Sequence, residues 1–128
     1  MTVHEELATL IALYCHFCDD GRFDAFAELF TEDAQFVVMG QVHHGRDAIK
    51  AFMQAAQPPQ RRGKHITSNA VFVVDPGGER AEGKTDYVFL ARSGDSFAIQ
   101  SVGRYHDQFV RQNGRWRFAR REIVFFGE

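Results

Sequence analysis

Apolar residues recur every three or four positions in the first part of the chain, and every second position in most of the rest. The first pattern predicts a helix over Thr2–Asp19, with one apolar stripe facing the core. That stripe consists of Leu7, Leu10, Ile11, Tyr14, Phe17 and Cys18. Thr2 and Glu5 match a capping box at the start of this helix. Two shorter helices are predicted over Arg22–Phe30 and Ala48–Ala56.

A short hairpin separates the second and third predicted helices, with strands over Ala34–Met39 and Gln41–His44. Four longer strands with alternating apolar residues follow. They span Lys64–Asp75, Glu79–Arg92, Ser96–Gln112 and Arg115–Phe126. This order predicts an α+β fold in a single domain over residues 1–128, with three helices packed on one face of a strongly curved antiparallel sheet.

The strand Lys64–Asp75 carries the most informative pattern. Alternation places one set of side chains on a common face, and this set is polar at its start and apolar at its end. Its members are His65, Thr67, Asn69, Val71 and Val73. A polar mouth above an apolar floor is typical of a ligand pocket. The alternative is that His65 is a structural histidine with a satisfied hydrogen bond.

Composition and charge exclude several classes of function. The net charge of −2 over 128 residues leaves no broad basic surface for nucleic acid. The sequence has no run of apolar residues long enough to span a membrane. The start MTVHEELATL carries acids where a signal peptide needs basic residues, so we expect a cytoplasmic protein. The 13 Phe indicate an aromatic-lined core or cavity.

Metal and redox chemistry find little support in the sequence. Cys15 and Cys18 form a C-x-x-C at the C-terminal end of the first helix, where the helix dipole does not lower a thiol pKa. We therefore expect both to be reduced core thiols. Asp19, His65 and His106 have no metal-ligand spacing, so neither a metal nor another cofactor is predicted.

The last two strands predict which side chains face inward and whether the sheet is covered. Ser101, Gly103 and Tyr105 should lie opposite Arg104, His106 and Gln108, with Ser101 a candidate for the pocket wall. The ending Ile123-Val124-Phe125-Phe126 is apolar on both faces of a strand, more than one core face can use. We therefore expect a second copy on the outer face of the sheet, in a homodimer or higher homo-oligomer.

Several stretches resemble the SnoaL-like branch of the nuclear transport factor 2 superfamily. They are D-G-R-F-D-A-F-A-E-L-F-T-E-D-A at Asp20–Ala34, G-R-D-A-I at Gly45–Ile49, H-x-x-x-N at His65–Asn69, and G-R-Y-H-D…N-G-R-W-R-F at Gly103–Phe118. The resemblance covers nearly the whole chain. It implies a cone-shaped fold in which the helices and a curved sheet enclose one pocket. Scytalone dehydratase, ketosteroid isomerase, polyketide cyclases and a hexachlorocyclohexane dehydrochlorinase belong to this superfamily.

The resemblance also implies an active site. Asp19 matches an Asp that ends the first helix in the dehydratase and the dehydrochlorinase, and His65 matches the His that it orients. The imidazole would then take a proton from substrate through Nε2. We expect the substrate to be bound by Tyr14, Asn69, Phe36, Thr85, Tyr87 and Ser101. Tyr14 should lie toward the pocket mouth, and Asn69 one step deeper than His65.

One position departs from the dehydratase pattern. That enzyme has a second His on the next strand, whereas Glu79–Arg92 contains none and has Thr85 or a neighbour at the matching place. This favours a one-base reaction by a cofactor-independent lyase or isomerase acting on a small hydrophobic cyclic molecule. The alternative is a non-catalytic small-molecule binder or assembly protein on the same fold. The two hypotheses differ in whether His65 reaches Asp19 and opens onto an empty pocket.

Overall fold

The computed structural model describes residues 1–127 and contains three helices and six strands. The helices are α1 (Val3–Asp19), α2 (Phe23–Ala27) and α3 (Arg46–Ala56). The strands are β1 (Phe30–Val38), β2 (Gln41–His44), β3 (Lys64–Val74), β4 (Arg80–Ser93), β5 (Ser96–Gln112) and β6 (Arg115–Phe125). None of the helices within residues 1–127 is long and apolar enough to cross a membrane.

The capping box predicted for the first helix is confirmed. The backbone N–H of Glu5 donates to Thr2 Oγ1 over 3.1 Å, and the Thr2 N–H donates to Glu5 Oε1 over 3.3 Å. The second helix is shorter than predicted, ending at Ala27 instead of Phe30. Phe30 begins β1 because it pairs with Phe118 of β6, a contact that helical spacing cannot reveal.

All six strands form one sheet in the order β2-β1-β6-β5-β4-β3. β1 and β6 run parallel, and every other pair is antiparallel. The predicted α+β class is therefore confirmed, but the prediction of a purely antiparallel sheet is wrong, because β1 lies alongside β6 and runs in the same direction. The strand that carries His65, β3, is an edge strand, and its flanking Lys64 and Ile66 point to the outer face of the sheet, where both are exposed.

A β-bulge in β3 overturns the prediction for its far half. The register with β4 shifts between Ser68 and Val71, and Asn69 adopts a left-handed φ of 56°. The bulge exchanges the two faces of the strand. Val71 and Val73 are consequently 61% and 70% exposed and form no pocket floor. The inward positions after the bulge belong to Phe72 and Val74, which pack against the core.

The alternation predicted for β5 is confirmed. Gly103, Tyr105 and Asp107 are buried, whereas Arg104, His106 and Gln108 are at most half-buried. The β4–β5 register does shift, but between Phe89–Ser101 and Leu90–Ile99, outside the stretch on which the prediction depends.

An ion pair lies at the centre of the aromatic core. Arg121 is completely buried, and its Nε and Nη2 donate to the two carboxylate oxygens of Asp107 over 2.7 and 2.9 Å. The guanidinium carbon lies 3.7 Å from the ring centroid of Tyr105, 4.3 Å from that of Tyr14 and 4.4 Å from that of Phe118. Burial opposes its charge, but Asp107 outweighs that penalty and the pKa of Arg121 is raised. The core is therefore built around a permanent cation.

Replacing Asp107 by Asn should destabilise the protein strongly, because it leaves the Arg121 charge buried without a counter-charge. The expected loss in the free energy of unfolding is about 3–5 kcal/mol, measured by urea denaturation. The matched control is Asp86→Asn, which removes the carboxylate of the surface pair Arg104–Asp86 and should change stability far less. Equal losses in the two variants would show that the buried pair does not hold the core together.

Candidate active site

The structure places Asp19 and His65 in direct contact. Asp19 Oδ1 lies 2.6 Å from His65 Nδ1, and Asp19 Oδ2 accepts the backbone N–H of His65 over 3.0 Å. Their side chains are 12% and 7% exposed, so the pair is shielded but not sealed from solvent. One carboxylate thus fixes both the ring and the backbone of the histidine.

The local structure explains how the two residues meet. Asp19 is the last residue of α1, which packs across the start of β3, and within residues 1–127 no further strand lies beyond this edge of the sheet. Asp19 accepts a backbone N–H there, as a neighbouring strand would. Gly63 precedes β3, and a Cβ at this position would collide with the carbonyl oxygen of Leu90. Only glycine therefore lets β3 approach β4 closely enough to place His65 beneath α1.

The contact determines the tautomer of His65. An ionised carboxylate only accepts hydrogen bonds, so the neutral imidazole must carry its proton on Nδ1 and leave a lone pair on Nε2. Within residues 1–127, no hydrogen-bond partner is found for Nε2. The arrangement can therefore act as a general base at Nε2, with Asp19 stabilising the imidazolium that forms.

Aromatic rings enclose the imidazole. The Phe89 ring centroid lies 4.5 Å from that of His65, and the Tyr14 ring meets it edge-on at 6.2 Å. On the neighbouring strands, the Tyr87 hydroxyl and Ser101 Oγ are 2.6 Å apart. Gly103 makes room for this pair, because a Cβ there would strike the Tyr87 ring. The inner face beside the dyad is thus apolar with a few hydroxyl groups.

Deeper on the same face, three buried polar atoms have no hydrogen-bond partner among the described residues. They are the Tyr14 hydroxyl, Thr85 Oγ1 and Arg121 Nη1. Burial raises the pKa of Tyr14 well above its usual value, so the phenol keeps its proton and can donate it in a hydrogen bond. Buried donors without partners suit a ligand oxygen or an internal water.

Of the predicted binding residues, all but Asn69 lie on the inner side of the fold. Thr85, Tyr87 and Ser101 lie on the inner face with His65, and Phe36 lies near Tyr14 with ring centroids 6.4 Å apart. Tyr14 is fully buried and therefore not at a pocket mouth.

The prediction for Asn69 is wrong in its placement. The bulge turns its side chain to the surface, where Nδ2 donates to Asp86 Oδ2 over 3.0 Å. It does not lie one step deeper than His65.

Two residues of the site were missed from sequence. Phe89 lies opposite His65 on β4, and the alternation of that strand already places it on the inner face. Arg121 carries no such signal, because it is adjacent to Arg120 in the middle of β6. A register shift between β5 and β6 decides which of the two arginines is buried. The structure buries Arg121 and leaves Arg120 half-buried.

Two surface grooves lie away from the Asp19–His65 pair. One of about 380 Å³ is lined by outer-face residues of the sheet that include Val71, Lys84, His106 and Arg120. Another of about 510 Å³ lies between α2 and α3. Neither His65 nor Asp19 lines them.

The two cysteines are buried and free, as predicted. Burial raises the pKa of Cys15 to about 11 and that of Cys18 further. Donor atoms of Cys18, Asp19 and His65 lie within 4.8 Å of one another, close enough for a metal ion. Such an ion would have to replace the Nδ1 contact and deprotonate a buried thiol, so the arrangement fits an Asp–His pair better.

The fold is that of an α+β protein of the nuclear transport factor 2-like class. In this chain an Asp–His pair joins the end of α1 to the edge strand β3. Residues 1–122 match the family model of the SnoaL-like domain, so the chain belongs to that family. No curated protein matches the chain.

Solved structures support the fold. A protein of unknown function from Mycobacterium tuberculosis is 30% identical, with a TM-score of 0.87 over 94% of this chain and 69% of that one. A nuclear transport factor 2-like protein with a cystatin-like fold from Novosphingobium aromaticivorans is 28% identical, with a TM-score of 0.86 over 97% and 82%. A protein named for scytalone dehydratase from the same organism is 22% identical, with a TM-score of 0.84 over 95% and 83%. The last likeness shows the fold alone.

Both cysteines should resist thiol reagents in the folded protein. A pKa raised from 9.0 to about 11 leaves Cys15 on the order of a hundredth as much thiolate at pH 8, in addition to steric shielding. Ellman's reagent should therefore label the native chain slowly and the urea-unfolded chain at once. Rapid labelling of either thiol in the native state would contradict the burial described.

Proposed function

We propose that the chain is a cofactor-independent lyase or isomerase in which His65 Nε2 removes a proton from a carbon atom of the substrate. The observation that carries this proposal is the double contact of Asp19, whose two oxygens hold the ring N–H and the backbone N–H of His65. A histidine held in this way presents its free lone pair in one fixed direction. A structural histidine needs only one of these contacts.

The reaction balances with the residues at hand. The substrate C–H bond breaks, its proton moves to Nε2, and Asp19 stabilises the resulting imidazolium. The electron pair moves either into an adjacent carbonyl, giving an enolate, or onto the next bond, expelling a leaving group. In the first case the proton returns at another carbon. In the second it passes from Nε2 to the expelled group or to water, which restores the neutral imidazole. Isomerase and lyase chemistry thus share one base.

The interior supplies an electrophilic partner for the charge that develops. The neutral Tyr14 hydroxyl and Arg121 Nη1 are buried hydrogen-bond donors, and the Tyr14 ring contacts both the imidazole and the guanidinium. A substrate oxygen that reached them would be stabilised as negative charge grows on it. The route to this region requires the aromatic side chains to move apart, since Tyr14 is fully buried.

The wall chemistry indicates the class of substrate. The rings of Phe89 and Tyr14 contact the imidazole, Phe36 lies next to Tyr14, and Tyr87 lies on the same inner face of the sheet. Such a lining favours a small cyclic or aromatic molecule with few polar groups. The hydroxyls of Tyr87 and Ser101 can orient a single oxygen of that molecule.

A non-catalytic binder is the second candidate, and one observation favours it. The dyad is mostly buried, and the grooves described above do not include it. In that case the His65 imidazole would be a polar group that orients a bound molecule.

The proposal predicts that His65→Gln strongly slows proton transfer without unfolding the chain. The probe is solvent deuterium incorporation into 2-tetralone, an aromatic cyclic ketone with an acidic C–H, together with turnover of scytalone and hexachlorocyclohexane. Loss of a positioned base should reduce the rate by roughly 10² to 10⁴.

The matched control is His106→Gln, which changes a histidine on the outer face of β5 and should keep full activity. Activity of His65→Gln within about twofold of the parent would reject the general-base role. Probe binding without any exchange or turnover in the parent would favour the binder.

Asp19→Asn should reduce activity by switching the tautomer of His65. The backbone N–H of His65 can only donate, so the amide oxygen of Asn must face it and the amide NH₂ must face Nδ1. Nδ1 then becomes the acceptor, and Nε2 carries the proton and cannot act as a base. Nitrogen NMR of the labelled histidine should show protonation moving from Nδ1 to Nε2. An unchanged tautomer with unchanged activity would exclude this role for Asp19.

A further inference from the structure

The loop between α3 and β3 leads directly to His65. It spans residues 57–63 and is the longest connection within residues 1–127. Pro58 and Pro59 keep α3 from continuing into it, and its middle residues are exposed. We call this segment the α3–β3 loop. A surface segment of this kind can move without breaking the helices or the sheet.

One side chain, that of Arg62, folds the α3–β3 loop back onto the end of α3. Its Nε and Nη2 donate to the carbonyl oxygen of Gln57, the first residue of the loop, over 3.4 and 3.3 Å. Gln57 is itself buried, and its backbone N–H donates to the Met53 carbonyl over 2.9 Å. The start of the loop is therefore anchored to α3, and the guanidinium ties the far end of the loop to that anchor.

The same guanidinium contacts the corner between α1 and α2. Its carbon lies 5.6 Å from the ring centroid of Phe23, the first residue of α2. It also fills the space beside Gly21, where a Cβ would collide with it. Gly21 follows Asp19 by two residues, and Arg62 precedes His65 by three. Arg62 therefore joins the two chain segments that carry the acid–base pair.

An aromatic row leads from Arg62 to the interior of the site. The Phe23 ring centroid lies 6.4 Å from that of Phe26, and the Phe26 centroid lies 4.9 Å from that of Tyr14. The Tyr14 ring in turn meets the imidazole of His65. Tyr14 is completely buried, so a ligand reaches it only when the side chains around it move apart. Arg62 holds the first ring of that row in place.

Cys18 links the Arg62 guanidinium to the site. Burial raises the pKa of the Cys18 thiol, and neighbouring Asp19 and Cys15 raise it further. The positive charge of Arg62 acts in the opposite direction and lowers this pKa, so the guanidinium lies near the thiol. The donor atoms of Cys18, Asp19 and His65 lie within 4.8 Å of one another. A reagent that reaches the Cys18 thiol has therefore entered the site.

We propose that Arg62 controls entry to the site by holding the α3–β3 loop against the corner between α1 and α2. When its contacts break, the loop and the corner separate and expose the space around Cys18 and the imidazole of His65. A hydrogen bond to one carbonyl and a cation–π contact are individually weak, so this local opening requires far less free energy than unfolding the chain. That a substrate uses this opening rests on the proposed function, whereas the opening itself does not.

Labelling of Cys18 by N-ethylmaleimide, an uncharged reagent, measures the opening. Cys15 is replaced by Ala in every variant, so that Cys18 is the only thiol. Arg62→Met keeps an apolar stem but removes the guanidinium, and it should label about tenfold faster than its parent. Loss of the Arg62 charge raises the pKa of Cys18 and by itself slows labelling, so faster labelling reports the opening.

The matched control is Arg61→Met, the same substitution at the neighbouring exposed residue of the loop, which should label within about twofold of the parent. Hydrogen exchange of backbone amides should increase in Arg62→Met over residues 19–23 and 57–63, with little change in β5 and β6. The midpoint of urea unfolding should stay close to that of the parent.

Equal labelling rates in Arg62→Met and Arg61→Met would overturn the proposal. Faster labelling together with a lower urea midpoint and increased exchange in every strand would also overturn it, because global unfolding would then expose the thiol. Absence of 2-tetralone exchange in the parent would contradict the proposed activity alone, since labelling of Cys18 needs no turnover.

Discussion

The contact between Asp19 and His65 is the interaction on which the proposed chemistry depends. It joins the last residue of a helix to the second residue of an edge strand, 46 positions apart in the chain. Because the carboxylate binds both the ring and the backbone, the imidazole is fixed in position and in tautomer. An acid at the end of a helix is disfavoured by the helix dipole, so its place here costs some stability. The hydrogen bonds to His65 offset that cost.

The buried pair Arg121–Asp107 stabilises the part of the core next to the Asp19–His65 contact. The guanidinium is held by two hydrogen bonds and by aromatic rings, and one of those rings, Tyr14, also meets His65. A charge in an aromatic core is stable only while its counter-charge stays in place. The helix α1, the inner face of the sheet and the site are therefore connected through a few side chains. We expect a substitution at Asp107 to change the geometry of the Asp19–His65 pair.

The two faces of the sheet have different chemistry at the same place along the strands. His65 and Phe89 face inward, while their neighbours Ile66 and Val88 face outward. The inner face presents an imidazole, hydroxyls and aromatic rings, whereas the outer face presents aliphatic side chains beside the surface ion pair Arg104–Asp86. One short strand presents different chemistry to the two sides of the sheet because successive residues point to opposite sides.

Hydrogen bonds between near neighbours, and the alternation of buried and exposed residues along a strand, can be predicted from the sequence alone. The capping box at Thr2 and the alternation of β5 involve residues close together in the chain, and each was predicted. The positions of Asp19 and His65 came from family resemblance, since no spacing rule brings residues 46 apart into contact.

Only the tertiary structure decided the features that depend on register between strands. The bulge at Asn69 turned Val71 and Val73 outward, and pairing with Phe118 made Phe30 a strand residue. A register shift chose Arg121 over Arg120 for the core. Each outcome depends on which partner strand lies alongside and where it is offset, and a slip of one residue reverses the face of every side chain that follows. That information is non-local, and it is why the interior of the site was the part least accessible from sequence.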